Sequence, residues 1–187
     1  MSFRTEFPNV PGAPKELEPV QQAMLAMSYG VHVIGSRDAD GSLNAMIADW
    51  VMQVSFEPRL VTASIENDAR TLRYIRATNA FSVNMLHEKD GIDIARKVVM
   101  PSEGRKVKGR SHEHAQVVHH KLEGLRYELH ESGVPILLDA LGWYTCEAES
   151  FIPAGDHTLV IAKVTDGGML RSGEMLIERD LGWEYAG

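Results

Sequence analysis

Segments of β-type sequence follow one another along this chain with few helical segments between them. After the polar stretch 101–120 come four such segments separated by turn residues: VPILLD, LGWYTCEAESF, HTLVIAKVTDG and MLIE. Earlier in the chain, VHVIGS is joined to the next strand by DADG at 38–41, where Asp and Gly supply the positive φ angles of a tight hairpin turn. Because strands without crossover helices pair antiparallel, the sequence predicts a mainly β fold, a β-barrel of about seven strands.

Two or three helices are predicted to flank this barrel. QQAMLAMSYG is typical of a short helix that ends at Gly30. Residues 69–78 place Leu72 and Ile75 on one helical face, with Asn67 or Asp68 positioned as the N-cap. DGIDIARKVV is a further candidate helix, and AFSVNML, which precedes it, is predicted to be a strand.

Length and composition limit the remaining possibilities. The 187 residues, 44% of them apolar, suffice for one domain with a proper core, here taken as residues 20–187. Residues 1–19 contain four prolines and are predicted to form an extended N-terminal arm. A net charge of −7 argues against binding to nucleic acid or to an anionic membrane. The lone Cys146, a polar N-terminus and the lack of a long apolar run favour a soluble protein of the cytoplasm.

Several common catalytic and nucleotide-binding motifs are missing from the sequence. It has no G-x-G-x-x-G and no G-x-x-x-x-G-K-[ST], so a nucleotide would have to be held without a Rossmann turn or a P-loop. Histidines cluster at 112, 114, 119 and 120, but their neighbours are polar, and we interpret the stretch as solvated rather than as a metal site. Cys146 lies in the strand WYTCEAE and is interpreted as a core residue rather than a nucleophile.

The segment from Asn67 to Thr71 has the features of an anion site. A strand that ends at Ile65, a polar turn and a helix that begins near Ala69 would leave free backbone N–H groups beside the Arg70 guanidinium and the Thr71 hydroxyl. The alternative is ordinary capping by Asp68, with Arg70 in solvent. Both interpretations fit the spacing.

The block NAMIADW is the second candidate. It follows the hairpin turn in a strand expected to face the LVTASI strand in a meander, so its backbone amides could meet the edge of a flat heterocycle. An ordinary strand is the alternative.

Taken together, these segments resemble the flavin reductase-like, FMN-binding split-barrel family. The similarity runs in order from YGVHVIGSRDADGSLNAMIADWVMQVSFEPRLVTASI through RTLRYIRATNAFSVNML to GWYTCEAE and AGDHTLVIAKV, about residues 20 to 166. In that family the N-A-M-type strand lines the isoalloxazine ring and ribityl chain of the flavin, and the turn after the second long strand holds the phosphate. Family members often have Thr and Ser where Ile47 and Asp49 stand here. The Asp49 carboxylate would repel phosphate, so it is expected to point toward the ribityl hydroxyls.

The resemblance implies a set of site residues. Flavin contacts are implied for Asn44, Ala45, Met46, Ile47, Asp49 and Trp50, and phosphate-side contacts for Ser64, Ile65, Asn67, Arg70 and Thr71. In the family's reductases the histidine of a G-D-H block lies near the nicotinamide, and His157 of GDH at 155–157 has that position here. His157 would orient the nicotinamide rather than react. Its alternative is a turn residue at the start of a strand.

The resemblance also implies an activity and an assembly. The expected activity is hydride transfer from NAD(P)H to flavin, with FMN as the cofactor and FAD as its alternative. The expected assembly is a homodimer, and the expected partner is a flavin-accepting or redox protein. Two other functions stay open: an FMN-containing electron carrier like flavoredoxin, and an interaction module that has lost its flavin.

Overall fold

A computed structural model describes residues 18–99 and 120–181 of the chain. Nine strands and four helices lie in these two stretches. The helices are α1 Pro19–Leu25, α2 Arg70–Thr78, α3 Gly91–Val99 and α4 Glu178–Leu181. The strands are β1 His32–Arg37, β2 Leu43–Ala48, β3 Val51–Ser55, β4 Leu60–Glu66, β5 Ala80–Met85, β6 Tyr127–Leu129, β7 Pro135–Leu137, β8 Gly142–Ala154 and β9 His157–Met169.

Seven of the strands form one antiparallel sheet that curls into a barrel. Its order is β2-β1-β5-β8-β9-β4-β3, so β2 and β3 occupy opposite edges. Yet only Asp49 and Trp50 separate these two strands in the chain, so the edges must come together. The Ser64 N–H of β4 donates to the Trp50 carbonyl at 3.0 Å and holds the connection against the β3–β4 pair. The connection between β2 and β3 is therefore the place where the sheet closes.

Irregularities in the long strands provide the curvature. The β8–β9 register shifts between Thr145 and Cys146 and again between Ala148 and Ser150, and the β3–β4 register shifts between Gln53 and Ser55. Such bulges bend a strand and increase its twist, which a strand of 13 residues needs in order to follow a barrel wall.

Two apolar clusters lie on the two sides of β1. Ile34 belongs to the barrel interior, with Phe81, Val83, Cys146 and Val160. Val33 belongs to a second cluster under α3, with Leu86, Val98 and Leu137. Since both faces of β1 are covered, five of its six residues are buried and its sequence shows little alternation. The prediction of a core role for Cys146, which is 3% exposed, is confirmed.

The predicted elements are largely present, with four corrections. Pro19, assigned to the arm, is the first residue of α1, where proline's fixed φ suits a helix start, and α1 ends at Leu25, before Gly30. The segment MLIE is not a sheet strand, because Met175 and Ile177 form only isolated bridges and α4 begins at Glu178.

The third correction concerns the β2 block. Leu43–Ala48 pairs with β1 and not with β4, whose partner on that side is β3. The fourth concerns the first turn of α2, whose N-cap residue is Ala69 rather than Asn67 or Asp68 and makes no side-chain cap hydrogen bond. The arm at 1–17 and the histidines at 112, 114 and 119 lie outside the described residues.

No helix in the described stretches is both long and apolar enough to cross a membrane.

Candidate functional site

A buried hydrogen bond joins two of the predicted site residues across the fold. The Asn44 side-chain amide of β2 donates to the Thr71 hydroxyl of α2 at 2.8 Å, and the two residues are 4% and 1% exposed. Because the Thr71 oxygen accepts this bond, its own proton stays available for donation to another group. The pair thus presents a hydroxyl donor in the first turn of α2.

The start of α2 has several features that would suit an anion. The first turn has no acidic residue, and the N-cap Ala69 offers no side-chain oxygen to the backbone N–H groups that follow it. Arg70 stands at the first helical position, where its positive charge is unfavourable beside the positive end of the helix dipole. An anion bound here would pair with the N–H groups, the dipole and the guanidinium together.

An aromatic row lies near the barrel closure. The Trp50 ring centroid is 5.1 Å from that of His157 and 6.5 Å from that of Tyr29, both at tilted angles. His157 is the first residue of β9, and its Nδ1 is 2.7 Å from the Asp156 carboxylate, which holds the ring in place. The row provides a half-buried aromatic wall of mutually tilted rings, and a planar ring system can pack against one of them.

Asp49 brings a carboxyl group to the same place. Burial raises its pKa, while the backbone N–H groups of Asp49 and Trp50 and the charge of His157 act in the opposite direction. Asp49 and Asn44 are five positions apart on an extended chain, a span of about 16 Å. Asn44 contacts the start of α2, and Asp49 lies next to Trp50 of the aromatic row, so these two parts of the candidate site lie at opposite ends of β2.

Asn67 anchors the β8–β9 hairpin beside this row. Its backbone N–H donates to the Asp156 carbonyl at 3.0 Å, and its side-chain NH₂ donates to the Gly155 carbonyl at 3.2 Å. Its side-chain oxygen Oδ1 accepts from the Thr158 hydroxyl at 2.7 Å. These three bonds fix the strand start that carries His157. Asn67 therefore has a clear structural role in addition to its predicted ligand contact.

The predicted residues divide between the two faces of β2. Met46 packs on the barrel interior, whereas Ala45 and Ile47 belong to the cluster under α3, as alternation along a strand requires. Ile65 is 1% exposed in the barrel core. Asn44 and Thr71 are about as buried as Ile65, but their side chains are polar, whereas Ala45, Ile47 and Ile65 can offer a ligand hydrogen bonds only from their backbone groups.

Two residues of this region were missed at the sequence level. Tyr29 completes the aromatic row, and Glu178 of α4 donates its backbone N–H to the Tyr29 carbonyl at 2.9 Å. Tyr29 lies in QQAMLAMSYG, which is typical of the end of a short helix, so nothing there indicates a ligand contact. Glu178 lies in MLIERD, which has the composition of an ordinary strand end, so no local signal identifies it.

Comparison with known proteins identifies the family. Residues 24–180 match the family model described as flavin reductase like domain. The chain belongs to this flavin reductase-like family. Both the predicted resemblance and the predicted mainly β split-barrel fold are confirmed.

Individual relatives of this flavin reductase-like chain are distant. It is 26% identical over 154 residues to the high molecular weight rubredoxin of Moorella thermoacetica, covering 82% of this chain and 61% of that protein. It is 25% identical over 148 residues to the NADH-dependent flavin reductase StyB of Pseudomonas fluorescens, covering 79% and 76%. The crystallised flavin reductase PheA2 superposes with a TM-score of 0.64 at 28% identity, covering 83% and 88%.

The flavin reductase-like chain corresponds to only part of several other proteins. It spans 23% to 61% of the length of three of the curated relatives that it matches.

Proposed function

We propose that this protein binds FMN and catalyses hydride transfer from NAD(P)H to flavin. The observation that carries the proposal is the start of α2, where a helix without a side-chain cap, an arginine at its first position and a buried Asn44–Thr71 pair converge. An uncapped, positively charged helix start is a site for a phosphate group. It lies one β2 length from an aromatic wall that suits a flat ring.

In this proposal the phosphate end of FMN is held by α2. The backbone N–H groups of the first turn and the Arg70 side chain supply charge-assisted donors, and Thr71 adds its hydroxyl proton. Asn44 keeps that hydroxyl in place from β2. Ser64 acts through its backbone N–H, which fixes the β2–β3 connection, and Asn67 acts mainly through its side chain, which fixes the β8–β9 hairpin.

The ring end of FMN is assigned to the closure of the barrel. Trp50 and His157 form the wall there, and the proposal assigns Asp49, which lies next to Trp50 in the chain, to the ribityl hydroxyls. When bound, FMN supplies the hydride-accepting chemistry. The chain's own contribution is to orient the nicotinamide against the flavin and to exclude water, and His157, 18% exposed at its side chain, is the residue assigned to the nicotinamide.

A relative supports the nicotinamide part of the proposal. The Pseudomonas protein is named an NADH-dependent flavin reductase, and the alignment with it covers more than three quarters of both chains. FAD is the alternative to FMN, and a solved structure of similar fold is the NADH:FAD oxidoreductase SgcE6 of Streptomyces globisporus C-1027.

The second candidate function is an FMN-containing electron carrier without direct use of a nicotinamide. The observation in its favour is that the Moorella relative is named a high molecular weight rubredoxin, not a reductase. The flavin site would be the same, and the electrons would come from a redox partner protein. In either case we expect the protein to work in the cytoplasm, where its lone cysteine stays reduced.

One experiment separates the two functions. Purified protein is mixed with FMN, and the oxidation of NADH or NADPH is followed by the loss of the absorbance of the reduced nicotinamide. Turnover that requires both protein and FMN supports the reductase. A yellow protein whose flavin neither nicotinamide reduces supports the electron carrier. Protein that takes up no flavin at concentrations far above micromolar contradicts both.

A further inference from the structure

Glu178 is a buried carboxyl group with an unsatisfied oxygen. It is 9% exposed at the start of α4, and its backbone is tied to the carbonyl of Tyr29, the outer member of the aromatic row. Its Oε1 atom is buried and has no hydrogen-bond partner among the described residues. Because buried polar atoms are nearly always paired, an oxygen of this kind points to a partner group outside the described residues.

The surroundings of Glu178 determine which form of the carboxyl is present. Burial raises its pKa, and the negative charge of Asp49 raises it further. Tyr29 is influenced by both carboxyl groups, so the three side chains belong to one electrostatic neighbourhood. Burial and the charge of Asp49 both favour the neutral form of the Glu178 carboxyl. A neutral carboxyl has an O–H donor and a carbonyl acceptor side by side.

We infer that the Glu178 carboxyl binds an amide edge, a carbonyl beside an N–H, on the ligand whose ring packs against Trp50. The inference rests on the proposed function, because it assigns a new residue to the same site. A carboxylic acid and an amide edge are complementary, since each offers one donor and one acceptor. Two parts of the proposed ligands have such an edge: the pyrimidine ring of the flavin and the carboxamide of the nicotinamide.

The inference predicts that the side-chain amide of glutamine can replace the carboxyl and that alanine cannot. Glu178→Gln keeps the size, one donor and one acceptor, so ligand binding should stay within about twofold of wild type. Glu178→Ala removes both partners and should weaken binding roughly tenfold. Glu174→Gln is the matched control, because Glu174 is exposed four residues earlier and should have no effect. Thermal melts of all three variants verify that each is folded.

Two binding measurements distinguish the sources of the amide edge. Titration of FMN into the protein, followed by flavin fluorescence, reports the flavin ring. The KM for NADH at saturating FMN reports the carboxamide. A loss in the first measurement assigns Glu178 to the flavin, and a loss only in the second assigns it to the nicotinamide.

The pH dependence provides a readout that a structural role would not produce. In wild type, affinity should fall as pH rises through the pKa of Glu178, because the ionised carboxylate lacks the donor. Among the described residues, the titratable groups that interact electrostatically with Glu178 are Asp49 and Tyr29. Both are retained in Glu178→Gln, so the difference between the wild-type and Gln profiles reports Glu178, and the Gln profile should lack this step.

Three outcomes would overturn the inference. One is unchanged flavin affinity and NADH KM in a folded Glu178→Ala protein. Another is a Gln variant as impaired as the Ala variant. The third is identical pH profiles for wild type and Gln. All three presuppose that wild type binds flavin, so a wild-type protein that binds none would refute the proposed function instead.

Discussion

Arg70 is the residue that best separates phosphate binding from ring binding. Arg70→Ala should weaken FMN binding by about 1.5–3 kcal/mol, the value of a charge-assisted contact, and should leave riboflavin almost unaffected, because only FMN has a phosphate. Arg73→Ala is the control: Arg73 is exposed on the same helix, where its guanidinium lies 5.3 Å from the Tyr74 ring. Parallel fluorescence titrations with both flavins measure the effect. Equal losses for FMN and riboflavin would remove Arg70 from the phosphate site.

His32 gives the protein a specific sensitivity to acid. It is buried in β1, its Nδ1–H donates to the Ala48 carbonyl at 3.2 Å, and burial lowers its pKa from 6.5 to about 4. Between pH 6.5 and about 4, His32 binds a proton in the unfolded chain but not in the folded chain. The free energy of unfolding therefore falls as the pH decreases from 6.5 to about 4. The full effect is about 3 kcal/mol, at 1.36 kcal/mol per pKa unit.

Chemical denaturation at a series of pH values tests this. His32→Gln, which keeps a donor but does not titrate, should flatten the dependence over that range, whereas His120→Gln at an exposed site should leave it unchanged. A wild-type stability that is constant over the range would contradict the role of His32.

At the scale of elements, the periodicity of apolar residues predicts where a helix lies, but it does not predict hydrogen bonds between residues far apart in the chain. The spacing of Leu72 and Ile75 correctly places α2, and both side chains are buried. The absence of a side-chain cap could not be predicted, because Asn67 satisfies its side chain with the β8–β9 hairpin, about 90 residues further along the chain. Glu178 was missed for a related reason, since its burial results from the contact of α4 with the segment before β1.

The link between β2 and α2 allows a matched test with two threonines. Thr71→Val removes the hydroxyl that accepts a hydrogen bond from the Asn44 side-chain amide. Because the amide then stays buried without its partner, the free energy of unfolding should fall by about 1–3 kcal/mol. Thr62→Val is the control, because the Thr62 hydroxyl is buried with no partner among the described residues, and its removal should be neutral or stabilising. Urea denaturation provides both values. Equal losses for the two variants would show that the Asn44–Thr71 bond contributes nothing specific.

At the scale of the whole molecule, the closure of the sheet unites the candidate site. Asp49 and Trp50 connect opposite edges of a seven-strand sheet, and the same connection carries the aromatic wall. The sequence indicates a barrel through its succession of strands, but the sheet order, in which β4 pairs with β9 and not with β2, depends on long-range contacts that periodicity does not encode. The predicted site residues came from the family resemblance, because members of one family share this strand arrangement.

Assembly is the last property to test, and we expect a homodimer of about twice 20.8 kDa. Val20, Met24 and Met27 on and after α1 are 61%, 50% and 54% exposed at helical spacing, which makes an apolar stripe next to the predicted N-terminal arm. Burying this stripe against a second subunit would remove it from water. Met24→Glu should then shift the protein toward monomer in multi-angle light scattering, because the interface would have to bury a charge.

Gln22→Glu introduces the same charge on the opposite side of α1 and should leave the dimer intact. A monomeric wild type that still binds flavin would refute the homodimer. If wild type is dimeric and Met24→Glu does not change its mass, the interface must lie on another surface, and edge strand β3, with Met52 and Val54 exposed, is the next to be tested with Val54→Glu.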